Sequence, residues 1–140
     1  MVTWIIHHVC DGQRMSYHTH GLDKYKSLEL ELNLMLEPTQ AALFINLIGA
    51  SISAGKRYRS GERVENIFTV PFYLFETLPI HESTEGERVL RIIFCDPQFK
   101  FPWDQDCEER YQRQLSSMEI SEMKQLLTFG GSTWVRGFPS

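Results

Sequence analysis

The chain has 140 residues, which fits one domain and buries enough surface to fold without disulfides or a structural metal. Its 42% hydrophobic and 23% charged residues place it among ordinary soluble globular proteins. A formal net charge of -4 argues against a general nucleic-acid binder, which needs a basic face.

The three cysteines, Cys10, Cys95 and Cys107, are odd in number and far apart, and no CxxC occurs. That usage suits a reducing cytoplasm better than a secreted disulfide scaffold. The opening residues lack the basic and apolar regions of a signal peptide. No uncharged run approaches the ~18–20 residues that a spanning helix needs, so no membrane partner is expected.

Val2 to Val9 reads as a strand ending at Cys10-Asp11-Gly12. Asp-Gly between extended runs signals a hairpin of type I′. The second arm runs from about Met15 to His20. His7 and His8 are adjacent and point to opposite faces of the first arm, where each reads as a surface or core histidine. In Ser16-Tyr17-His18-Thr19-His20-Gly21-Leu22, His18 and His20 share a strand face, and Gly21 supplies a turn.

Leu22 to Lys26 is turn-like. Leu28, Leu30, Leu32, Leu34 and Leu36 then alternate with Glu29, Glu31 and Asn33. This predicts a strand with a core face of leucines and a wet face carrying the carboxylates. Glu37-Pro38-Thr39 opens a helix, with Pro38 at the first helical position. Ala41, Phe44, Ile45, Ile48 and Ile52 follow helical spacing, Leu43 and Leu47 widen the apolar arc, and Gly55 ends the run. This is the expected central helix. Lys56, Arg57 and Arg59 follow it. They complement the helix dipole, or form an anion clamp with Tyr58 as a stacking surface.

Ile67 to Glu76 predicts a strand interrupted or confined to an edge by Pro71. Glu82 to Glu87 is a polar loop, and Arg88 to Cys95 is a buried strand. Asp96-Pro97 ends that strand before the aromatic run Phe99 to Trp103. Cys107 to Leu115 forms a short helix. Ser116 and Glu119 have capping-box spacing for a helix reaching about Thr128, with a stripe of Ile120, Met123 and Leu127. Gly130-Gly131 stops it. The apolar tail, with Trp134, Val135 and Phe138, should dock on its own domain or on a partner.

The ordered set Tyr17-His18-Thr19-His20-Gly21-Leu22, Leu28-Glu29-Leu30, the helix ending at Gly55, Gly61-Glu62-Arg63, and Val89 to Asp104 through Gln114-Leu115 resembles a known family. It is the mainly bacterial domain-of-unknown-function family 4262. The resemblance covers about residues 5–115 and implies an α+β domain without supplying a reaction. The family's opening motif is Tyr-Thr-hydrophobic-Gly-Leu; here His18 and His20 stand at its tyrosine and hydrophobic positions.

Three site readings follow. Metal binding would use His18 and His20, with Asp96, His81 or Cys107 as a third ligand. A ligand cleft would gather Tyr17, His18, His20, Asp96 and Trp103; in the simpler reading Asp96 makes an Asx turn and Trp103 is core. Anion binding would use Lys56, Arg57 and Arg59. No nucleotide-binding glycine motif or nucleophile elbow occurs, so no cofactor is expected and catalysis stays open. The expected fold is α+β. A mostly antiparallel sheet of five to seven strands packs on the central helix, with residues 1–115 as the main unit. Residues 116–140 append a helix and tail. The leading functional expectation is a cytoplasmic, non-catalytic binding domain with a protein partner or self-association. The alternative is a small ligand-binding or metal-assisted enzyme near His18, His20 and Asp96.

Overall fold

The computed structural model describes residues 4–10, 15–80, 87–128 and 133–134. The first half holds strands β1 (Ile5–Cys10), β2 (Met15–His20) and β3 (Glu29–Leu32), then helix α1 (Pro38–Ser53). Short strands β4 (Arg59–Ser60) and β5 (Glu62–Val64) precede the longer β6 (Phe72–Thr77) and β7 (Val89–Phe94). Helices α2 (Glu109–Gln112) and α3 (Ser117–Thr128) and strand β8 (Thr133–Trp134) complete the order.

Six strands form one sheet in the order β1-β2-β3-β7-β6-β5. Only β3 and β7 run parallel; the other neighbours are antiparallel. The fold is therefore α+β, as expected. Cys10 pairs with Met15 at the end of the first hairpin, and the expected Asp-Gly turn lies outside the described residues. Pro71 sits directly before β6, where its missing N–H interrupts no ladder.

The α1 helix covers one sheet face. Pro38 starts it, and Gly55, at φ +110°, follows its C-cap residue Ala54. Ala41, Ile45, Ile48 and Ile52 are fully buried against Leu30, Leu32, Phe72, Leu74, Leu90 and Ile92. Each large aliphatic side chain buried there contributes ~1.5–3 kcal/mol. Leu43 and Leu47 are exposed instead, so the apolar arc of α1 is wider than the face the sheet covers.

The second face corrects the expected wet side of the Leu28–Leu36 run. Strand β3 ends at Leu32, and both Glu31 and Asn33 are buried. A second cluster covers that face, built from Tyr73, Phe75, Ile93, Phe101, Leu115 and Met123 of α3. Polar groups survive there because they are paired. Asn33 donates to the carbonyls of Arg113 and Gln114. Arg91 donates from Nε to Glu31 at 2.7 Å and from Nη1 to Glu119 at 2.8 Å. It also donates to the Gln114 and Leu78 carbonyls, while the Ile80 N–H donates to the other Glu31 oxygen.

Glu119 also completes the expected capping box. Its carboxylate accepts from the Ser116 N–H, and its own N–H donates to Ser116 Oγ. On α3, Met123 is buried and Ile120 and Leu126 pack beside it, whereas Leu127 is exposed. Strand β8 pairs with β4, which gives Thr133–Trp134 a place within the chain. Gly130, Gly131, Val135 and Phe138 lie outside the described residues.

Candidate metal centre

Strand pairing builds a cluster of three imidazoles on the β1–β2 hairpin. His7 stands directly opposite His18, and His20 follows two residues along β2 on the same face. Ring centroids lie 5.2 Å apart for His7–His18, 4.5 Å for His7–His20 and 5.0 Å for His18–His20. One ring nitrogen from each can be chosen so that all three lie within 4.8 Å of one another. A tetrahedral ion with ~2.0–2.1 Å bonds to nitrogen needs them about 3.3–3.4 Å apart. His7 and His20 are exposed, so their rings can turn inward by the remaining distance without opening the core. His18 is half-buried and fixes the floor of the cluster.

The donor set decides the chemistry. Three neutral imidazoles suit Zn(II), Cu(II) or Ni(II) and leave further positions for water. Glu31 is the register partner of His18, but both its oxygens are engaged by Arg91 and the Ile80 N–H. His8 points to the opposite face, where its ring stacks on Tyr17 at 4.6 Å.

The other expected residues do not converge on this cluster. Tyr17 is on the opposite sheet face, buried, and its hydroxyl donates to the Leu36 carbonyl at 2.6 Å. Asp96 lies two strands across the sheet from β2, past the C-terminal end of β7. It is buried there as a loop clamp. Oδ1 accepts from the N–H groups of Gln98 and Lys100, and Oδ2 from that of Glu108. Burial alone raises its pKa; these N–H groups and the Lys100 charge outweigh it and hold the carboxyl below its ordinary value. Trp103 stacks on Phe101 and meets Tyr73 edge-on. The cleft joining Tyr17, His18, His20, Asp96 and Trp103 is therefore not formed.

Burial, with the charges of Asp96, Asp104 and Glu108, pushes the Cys107 thiol up to about 11. It sits in the Asp96 loop and is a poor thiolate ligand. His81 lies outside the described residues. Of the basic trio, Arg57 donates to the Ile52, Lys56 and Tyr25 carbonyls, closing the α1 end onto the turn Leu22–Tyr25. Lys56 lies 3.9 Å from Glu62, and the Arg59 N–H donates to that same carboxylate.

Comparison with known proteins gives no match to a family model, a curated protein or a solved structure. No described helix is long and apolar enough to cross a membrane.

Proposed function

We propose that the protein is a transition-metal-binding domain whose site is His7, His18 and His20. The observation that carries this reading is the gathering of three imidazoles from two paired strands onto one accessible face. It gives the expected binding function a chemistry and replaces Asp96, His81 or Cys107 with His7 as the third ligand. Among divalent first-row ions, a nitrogen site favours Cu(II), with Ni(II) and Zn(II) behind it. The non-catalytic reading is supported because the neighbouring carboxylate, Glu31, is locked in an ion pair and cannot serve as a base at the site. Free thiols at Cys10, Cys95 and Cys107 support a cytoplasmic setting. We also propose kinship with domain-of-unknown-function family 4262, on the ordered motifs from Tyr17 to Leu115 alone.

Calorimetric titration of protein without a histidine tag, using Zn(II) and Cu(II), tests the reading. One ion should bind per chain. Affinity should fall by at least about tenfold in His7→Ala, His18→Ala and His20→Ala. The metal-free His7→Ala and His20→Ala proteins should melt like the wild type, because both rings are exposed. Binding that is unaltered in all three variants, or absent for both ions, overturns the proposal.

A further inference from the structure

We infer that the metal locks the N-terminal strand onto the sheet, so that ion concentration sets how often β1 detaches; this rests on the metal-binding reading above. Among the described residues, β1 is the edge of the sheet and pairs only with β2. Its side chains are poorly buried: Ile5, His7, His8 and Cys10 are exposed, and Ile6 and Val9 are half-buried. Burial therefore does little to hold it. Beside the His8–Tyr17 stack, two side-chain devices among the described residues hold it, one at its start and one at its middle.

The first is Trp4, which precedes β1 and is buried. Its indole N–H donates to Asn46 Oδ1 at 2.9 Å, and its ring meets Tyr25 edge-on. The ring lies flat on α1 at Gly49. A Cβ at Gly49 would stand 2.6 Å from Trp4 Cζ2 and 2.9 Å from Cε2, inside contact distance. Glycine at position 49 is thus the seat of a plug that ties the N-terminus to the central helix.

The second device is the histidine cluster. His7 belongs to β1, whereas His18 and His20 belong to β2. An ion held by all three bridges the edge strand to the strand beneath it. Detaching β1 removes one of three ligands, so the ion opposes detachment by mass action. By linkage, loosening β1 weakens ion binding only as far as it lowers the fraction of chains in which β1 is attached. Detachment would also bare the hydrogen-bonding edge of β2, an available template for strand pairing. The ion thereby governs whether that edge is covered.

Hydrogen exchange with and without Zn(II) tests the lock. The β1 amides that donate to β2 should exchange by local opening. At a free zinc concentration of 100 times the dissociation constant they should slow by about tenfold or more, because the detached state keeps only two ligands, while the α1 amides stay unchanged. Asn46→Ala, which removes the indole acceptor, should speed metal-free exchange of β1, and zinc should slow it again. Gly49→Ala should do the same more strongly. Zinc binding at one per chain with unchanged β1 exchange overturns the lock and leaves the metal site standing. Absence of zinc binding removes the site itself, and the lock with it. Loosened β1 in Asn46→Ala whose exchange saturating zinc does not slow also overturns the coupling.

Discussion

Replacing Arg91 with methionine tests how α3 is held to the sheet. Arg91 is 1% exposed and donates to Glu31, Glu119 and the carbonyls of Gln114 and Leu78. Methionine keeps much of the stem and removes every donor. Glu31 and Glu119 then lose their shared counter-charge. Removing one member of a buried ion pair costs about 3–5 kcal/mol. That is a large share of the ~5–15 kcal/mol that holds a typical domain, and it lowers the melting temperature of a chain this size by roughly 10–15 °C. The pH dependence is the sharper signature. Burial raises the Glu119 pKa, but the Arg91 charge, the Ser116 N–H and the Thr77 hydroxyl outweigh it, and the native carboxyl titrates below its ordinary value. Its stabilising contribution is present above the unfolded-state pKa and is lost as pH falls through the lower folded value. In the variant, burial is opposed only by the Ser116 N–H and the Thr77 hydroxyl, and the folded pKa rises. The variant's penalty therefore shrinks as pH falls from 7 towards 5. Urea unfolding of both proteins at the two pH values measures it. A gap below about 1 kcal/mol at pH 7, or an equal gap at both values, refutes the reasoning.

Three further predictions concern the loop and helix caps. Ser116→Ala removes the hydroxyl that accepts the Glu119 N–H, and should cost about 1 kcal/mol in urea unfolding; no loss would contradict the capping role. Asp96→Asn should flatten the acid limb of the stability curve. The depressed native pKa means that the Asp96 contribution is present above the unfolded value and lost as pH falls through the folded one. An acid titration followed by circular dichroism reads this, and an unchanged limb contradicts it. Cys107, with its thiol raised to about 11, should alkylate at pH 8 more slowly than free cysteine in the same tube. Equal rates would contradict the burial and charge around it.

Local patterns wrote much of this fold into the sequence. Pro38, the Ile45–Ile48–Ile52 spacing and Gly55 bound α1 because helix ends and faces depend on near neighbours. The Ser116–Glu119 box did the same for α3. The second sheet face is not legible from alternation, which shows which side chains are apolar, not which polar ones find partners. Glu31 and Arg91 are 60 residues apart in the chain, and only the parallel pairing of β3 with β7 brings them together. A lone arginine inside Val89–Phe94 was the available sign that a buried partner must exist. His7 was within reach of the sequence too. An even number of turn residues sets His7 and His18 on the same hairpin face, and four residues separate Cys10 from Met15. The Asx-turn alternative for Asp96 is legible in the sequence because the N–H groups it accepts come from its own loop, whereas a cleft shared with Tyr17 and Trp103 depends on long-range placement that local pattern does not carry.

The histidine ring nitrogens themselves give the most direct test of the metal centre. A long-range proton–nitrogen spectrum of labelled protein, assigned with single-histidine variants, would follow each ring during zinc addition. The rings of His7, His18 and His20 should shift together and stop at one equivalent, while His8, on the opposite face against Tyr17, stays in place. Shifts at His8 comparable to those of the trio, or a trio that does not move as one, would contradict the site.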